Sequence, residues 1–178
     1  EDFIIIGHEA LGEVVEVGER VQGLGPGDLV VPRVRRPCPH AHCPACPRGY
    51  PGFCVKGDYT ERGILKAHGF CARYFVEDVA YLHRVPASLR SVAVLTEPLT
   101  IAEKALREVA HVLSRMPWLR EPSGRAVVLG AGPVGLLGAM ALMRAGFRTT
   151  VYSRSPKPNP KAELSEWLGA PYVSSKQH

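Results

Sequence analysis

The stretch Arg125-Ala126-Val127-Val128-Leu129-Gly130-Ala131-Gly132-Pro133-Val134-Gly135-Leu136-Leu137 decides the fold class of this 178-residue chain. An apolar run of strand length meets three glycines spaced G-x-G-x-x-G, which open onto the apolar residues of a helix. In that setting each glycine has a physical task. Gly130 permits a tight turn, Gly132 lets the backbone approach a pyrophosphate, and Gly135 allows close helix packing. The helix N-terminus adds unpaired amides and partial positive charge suited to phosphate. The candidate nucleotide-binding residues are thus Gly130, Ala131, Gly132, Pro133, Val134 and Gly135.

Working outward, residues 133–145 read as a helix closed by Gly146, 149–152 as a strand, 161–168 as a helix and Tyr172-Val173 as a third strand. This alternation is that of a parallel sheet with crossover helices, here only begun. An enzyme choosing NAD places Asp or Glu at the end of the second strand to bind the ribose 2′-hydroxyl. This chain has Ser153-Arg154-Ser155 there. A guanidinium between two hydroxyls suits a 2′-phosphate, which favours NADP and leaves NAD open as a second acceptor.

Upstream, Ala102, Ala105, Leu106, Val109, Val112, Leu113 and Met116 recur at helical spacing, with charged residues on the other face. Thr100 and Glu103 form a capping box at the start of this helix, and Pro117 ends it. Residues 1–88 differ in kind. Short apolar runs separated by Gly and Pro predict strands over 12–17, 29–31, 70–76 and 81–85, a β-rich part closing into a barrel.

An apolar content of 46% with 22% charged residues excludes a chain that is mainly disordered. No run approaches the roughly 20 apolar residues of a membrane span, so no membrane partner is expected. The net charge of +5 includes no long basic block, and no nucleic-acid partner is expected either. Residue 1 is Glu, and the run Phe3-Ile4-Ile5-Ile6 follows without a signal-peptide pattern. The chain reads as a fragment lacking both ends of a longer protein.

Four of the five cysteines, Cys38, Cys43, Cys46 and Cys54, crowd into one short segment. Such spacing lets a loop wrap a tetrahedral zinc through thiolates, in a closed and therefore structural site. His40, three residues before Cys43, is an alternative first ligand. The clustering also points to a reducing, cytoplasmic compartment rather than a disulfide framework. Cys71 stands apart and is expected to be a small buried hydrophobe.

The tripeptide Gly7-His8-Glu9 follows the isoleucine run. Together with the cysteine cluster and the glycine motif it resembles the zinc-dependent medium-chain dehydrogenase family, the alcohol dehydrogenase superfamily. The match looks closest to its archaeal and bacterial glucose dehydrogenases. The narrower likeness rests on Gly7-His8-Glu9-Ala10-Leu11-Gly12, Val34-Arg35-Arg36-Pro37-Cys38, Gly57-Asp58-Tyr59-Thr60-Glu61-Arg62-Gly63-Ile64, His68-Gly69-Phe70 and Glu97-Pro98-Leu99.

The resemblance implies an α/β-plus-β chain with a GroES-like barrel catalytic domain over 1–98, its structural zinc lobe at 38–54, a connecting helix and linker over 99–121, and the first half of a Rossmann domain over 122–178. It casts His8, Glu9 and Glu97 as catalytic residues and ligands of a catalytic zinc, with Glu97 also directed at the sugar. Glu61 matches a glutamate that hydrogen-bonds a sugar hydroxyl. Val34 stands where some relatives carry a sugar-contacting Asn, and four residues separate Cys38 from Cys43 where the family usually has two. The implied reaction is oxidation of glucose, or a related aldose, at C1 to the lactone, with hydride transfer to NADP or NAD. The family's remaining catalytic ligand, a Cys, would precede residue 1, so the 178-residue chain alone is expected to be inactive. The whole protein is expected to form a homodimer or homotetramer. The alternatives are another zinc-dependent polyol or alcohol dehydrogenase, and a non-catalytic zinc-containing binding module.

Overall fold

A computed structural model describes residues 3–116 and 124–177. They divide into two compact units, one ending at Glu97 and the other beginning at Pro98.

The first unit is built on two three-stranded sheets. In one, β1 (Gly12–Glu13) pairs antiparallel with β2 (Leu29–Pro32), which pairs antiparallel with β6 (Leu82–Val85). β2 is the central strand and is buried along its whole length, as its apolar sequence Leu29-Val30-Val31 demands. In the other sheet, β3 (Arg35–Arg36) pairs antiparallel with β4 (Thr60–Arg62), and β4 runs beside β5 (Lys66–Ala67). Between β3 and β4 lies the cysteine segment, which carries two short 3-10 helices, Cys46–Arg48 and Pro51–Phe53.

The strands here are shorter than their residues suggest. The predicted strand over 12–17 ends at Glu13, after which Val14 exchanges backbone bonds with Asp28 and Gly27 at the mouth of a turn. Residues 70–76 form no strand, because their first amides serve another purpose: Phe70 and Cys71 donate to the carbonyls of Gly7 and Ile6. Cys71 is exposed, contrary to the expectation of burial. Its amide is tied to the Ile6 carbonyl at the surface, and its sulfur lies over Gly7, where a Cβ would come within 2.4 Å of it, rather than in a core.

Helix α1 (Thr96–Leu113) starts four residues before the predicted capping box, so Thr100 lies within it rather than at its cap. Pro98 explains the earlier start. In the first turn of a helix a proline gives up an amide that has no intrahelical partner, and its fixed φ already suits the helix. The predicted stop at Pro117 and the linker residues after it lie outside the described residues.

In the second unit β7 (Arg125–Leu129), β8 (Arg148–Ser153) and β9 (Tyr172–Ser174) form a parallel sheet in sequence order. Helices α2 (Pro133–Arg144) and α3 (Pro160–Trp167) make the crossovers. Asn159 caps α3 by accepting from the amides of Lys161 and Ala162, both at 3.0 Å. The core is Ala131, Leu136, Ala139, Val151, Ala162, Ala170 and Tyr172, with Val128 and Met143 packed against it. Ser165 is fully buried in this unit and satisfies its hydroxyl on the Ala170 carbonyl at 2.8 Å.

Candidate functional site

Two clusters of side chains able to hold a metal ion occur among the described residues, both in the first unit. The first comprises the Sγ atoms of Cys38, Cys43, Cys46 and Cys54, all within 4.8 Å of one another. Four thiolates at about 2.3 Å from a tetrahedral zinc stand about 3.8 Å apart, so this spacing fits the ion. The sulfurs are themselves the lobe's small core, with only Ala45 added.

The electrostatics of the four are uneven in a way that fits a cation. The amides of Cys46 and Ala45 point at the Cys43 sulfur and draw its thiol down to about 6. Burial pushes Cys38 up to about 12 and also raises Cys46. Burial opposes ionisation of Cys54 as well, but the Lys56 amide and the neighbouring Cys46 and Cys38 side chains lower it. Without a metal the cluster thus retains protons that a divalent cation would displace.

His40 is not part of this cluster. Its Nε2 pairs with Asp58 Oδ2 at 3.1 Å, and Asp58 is held below the usual carboxylate range first by Lys66, at 3.3 Å, and then by His40. Cys38, and not His40, stands with Cys43, Cys46 and Cys54 in the cluster, while the His40 ring faces Asp58.

The second cluster is His8, Glu9 and Glu97, whose donor atoms also lie within 4.8 Å of one another. His8 and Glu97 are half-buried and Glu9 is exposed. Burial raises the Glu97 carboxyl; the Glu9 charge adds to this while His8 opposes it. One imidazole with two carboxylates suits a borderline divalent ion such as zinc, and an open position would remain for another ligand.

What delivers His8 is the segment Ile5-Ile6-Gly7, which has no strand of its own. It is stitched to residues 68–71. Ile5 accepts from Gly69 and donates to His68 Nδ1 at 3.0 Å, Ile6 accepts from Cys71 at 3.0 Å, and Gly7 accepts from Phe70 at 2.8 Å. Gly7 has φ of 91°, and Gly63 and Gly69 both abut its backbone. This packing explains why Gly63 and the His68-Gly69-Phe70 run accompany Gly7-His8-Glu9 in the sequence.

Glu61 lies on β4, opposite Arg35 of β3, and the two side chains pair at 2.8 Å. Arg36 of the same basic cluster is also paired internally, while Arg33 is exposed. Arg36 pairs with Glu77 and stacks on Tyr81, 4.0 Å from the ring centroid. Sequence reasoning missed both pairings, because Arg35 and Glu61 meet only once the strand register is known.

In the second unit the glycine motif has the expected local geometry. Gly130 has φ of 107°, and a Cβ on Gly135 would strike the Gly130 carbonyl. Gly132, the N-cap of α2, has open space where its Cβ would be, with Pro133 in the first turn and Ala131 buried. Val134 follows in the same turn, whose amides have no intrahelical acceptor. Ser153 ends β8, and the Ser155 carbonyl accepts from the Tyr172 hydroxyl at 2.8 Å. Arg154 is exposed and makes no hydrogen bond or ion pair among the described residues.

The family described as glucose dehydrogenase C-terminus matches residues 90–178, half of the chain, and the alcohol dehydrogenase GroES-like domain matches residues 2–87. The chain belongs to the zinc-dependent medium-chain dehydrogenases, in their glucose dehydrogenase group. It is 44% identical to a glucose 1-dehydrogenase of Methanocella arvoryzae, over 99% of this chain and 48% of that protein. It is likewise 44% identical to one of Metallosphaera sedula, over 99% of this chain and 49% of that one. Among solved structures, Haloferax mediterranei glucose dehydrogenase in complex with NADP, zinc and gluconolactone is similar, with a TM-score of 0.82 and 36% identity over 99% of this chain and 49% of that one. The chain spans about half the length of the curated relatives it matches.

Proposed function

We propose that the protein carrying this chain is a zinc-dependent glucose 1-dehydrogenase that prefers NADP. It oxidises glucose, or an aldose of like configuration, at C1 to the lactone. The observation that carries this reading is the meeting of His8, Glu9 and Glu97 donor atoms within 4.8 Å. An imidazole and two carboxylates in one place, separate from the four cysteines, supply the mixed nitrogen and oxygen donor set of a catalytic rather than a structural zinc. The relatives' names supply the substrate class.

The division of labour follows from the side chains. His8 offers an imidazole nitrogen and Glu9 and Glu97 offer carboxylate oxygens to the catalytic ion, which when bound supplies Lewis acidity that acidifies a ligated hydroxyl. Glu61 accepts hydrogen bonds from sugar hydroxyls, since an ionised carboxylate accepts without competing donors. The nicotinamide cofactor, when bound, would supply a two-electron acceptor for the C1 hydride, with the hydroxyl proton released to solvent and the lactone as product. The open backbone at Gly132 and the first turn of α2 receive the pyrophosphate, while Arg154, Ser153 and Ser155 receive the 2′-phosphate. Cys38, Cys43, Cys46 and Cys54 hold the structural zinc.

The same reading assigns residues 1–98 to the GroES-like catalytic domain, 99–121 to a connecting helix and linker, and 122–178 to the first half of a Rossmann domain. The three-stranded parallel sheet with the glycine turn after its first strand supports the last assignment. Free thiols as ligands suit a reducing cytoplasm. No helix among the described residues is long and apolar enough to cross a membrane, and the internal use of Arg35 and Arg36 argues against a nucleic-acid surface. Association as a homodimer or homotetramer rests on the resemblance alone. The test is an initial-rate survey of the whole protein over aldoses, polyols and simple alcohols with NADP and NAD, alongside zinc content. Fastest rates with glucose and NADP, and two zinc ions per chain, are expected. Turnover of alcohols or polyols but not aldoses would contradict it.

A further inference from the structure

Glu61 is held by Arg35 in an unusually one-sided way. Arg35 Nε and Nη2 both donate to Glu61 Oε1, at 2.9 and 2.8 Å. Oε2 accepts no hydrogen bond from any described residue. The guanidinium is itself fixed on two further sides. It lies over the Tyr59 ring, 4.3 Å from the centroid, and Nη1 donates to the Pro51 carbonyl at 3.4 Å. Pro51 opens the 3-10 helix that leads directly into Cys54, so the clamp is anchored on the thiolate lobe.

We propose that Arg35 is a positioning residue for the substrate: it clamps one oxygen of Glu61 so that the other is presented, in a fixed orientation, to a hydroxyl of the aldose. This rests on the reading of Glu61 as a sugar-binding residue. The physical reason is that two donors converging on Oε1 fix that oxygen from two directions, and with the rest of the side chain tethered to β4 the carboxylate plane and Oε2 follow, whereas an ammonium at the same place sets only a distance. A carboxylate already ordered loses little side-chain freedom when the sugar arrives, and an unclamped one loses about 0.5–1.5 kcal/mol of it. The pair is only partly exposed, at 32% for Arg35 and 17% for Glu61, so water substitutes poorly for the lost partner.

The experiment compares the whole zinc-loaded protein with Arg35→Ala, Arg35→Lys, Glu61→Gln and the Arg35→Ala/Glu61→Gln double variant. The quantities are KM for glucose, KM for NADP, kcat, zinc per chain, and glucose binding by calorimetry in the absence of cofactor. Arg35→Ala is expected to raise the glucose KM and the glucose Kd about tenfold, with kcat and the NADP KM within about twofold and zinc unchanged. Arg35→Lys is expected to recover only part of the loss, and the double variant to be no weaker than Glu61→Gln alone. If Arg35→Ala does not fold, as judged by its thermal transition, Arg35→Lys carries the comparison with a weaker rise of about threefold. An unchanged glucose KM in both Arg35 variants, or effects that multiply in the double variant, overturns the proposal while leaving the dehydrogenase reading intact. A wild-type protein that oxidises no aldose, or a Glu61→Gln variant with unaltered KM, overturns the reading beneath it and this proposal together.

Discussion

Gly63 and Gly7 meet backbone to backbone: a Cβ added at position 63 would come within 2.8 Å of the Gly7 nitrogen. Gly7 immediately precedes His8, and Gly63 follows Glu61 by two residues, so one backbone contact ties the segment that carries His8 to the strand that carries Glu61, the two residues proposed above to face the catalytic ion and the sugar. Gly69 closes the group, since a Cβ there would lie 2.6 Å from Gly63 Cα.

Gly63→Ala is therefore expected to cost about 2 kcal/mol or more of stability, because it combines a left-handed φ of 72° with a collision against rigid backbone. Urea denaturation of the variant reads the stability. Zinc content should fall at the same time, by up to one ion per chain, as His8 is displaced. A variant of full stability and full zinc content would show that the contact does not matter.

At the cysteine lobe, Cys38→Ser is expected to lose one zinc per chain and to lower the thermal transition, since the sulfurs form most of that lobe's interior. His40→Ala is expected to keep the full zinc content. Elemental analysis after dialysis separates the two. Chelation should act on the same segment, exposing the 38–54 region to proteolysis before the rest of the chain.

Much of this was legible in the sequence, and the part that was not has identifiable causes. The glycine motif, β7 and α2 could be read because each residue's task there is local: a turn, a close approach, a helix start. The sulfur cluster was likewise local. The Glu61–Arg35 clamp and the His40–Asp58 pair were hidden, since they join residues 26 and 18 positions apart through strand register and loop path. Residues 70–76 carry strand-like character, but the amides of Phe70 and Cys71 are committed to Gly7 and Ile6, a tertiary demand that no window of sequence contains.

Arg154 is unpaired within the described chain, which leaves its charge free for a ligand. Replacing it with Ala is expected to raise the NADP KM by about 10- to 100-fold, the worth of one or two hydrogen bonds to a charged group. The NAD KM should stay within about twofold. Initial rates with both cofactors check this, and equal losses for the two would count against a 2′-phosphate contact.

Asp58 gives a pH signature. Its carboxyl is held low by Lys66 and His40, so the native state binds fewer protons than the unfolded chain between the lowered value and the ordinary one. The stability this supplies is complete above the ordinary carboxylate pKa and is lost as pH falls through the lowered value. Asp58→Asn is expected to flatten that acid limb slightly, the groups being well exposed. Denaturation midpoints across pH 2–6 would register the difference.

Anomalous diffraction at the zinc edge, on crystals of the whole zinc-loaded protein, bears most directly on whether His8, Glu9 and Glu97 make a metal centre. Two peaks per chain are expected, one amid the sulfurs of Cys38, Cys43, Cys46 and Cys54 and one between the His8 imidazole and the Glu97 carboxylate. A lone peak at the sulfurs, with His8 and Glu97 turned apart, would contradict it.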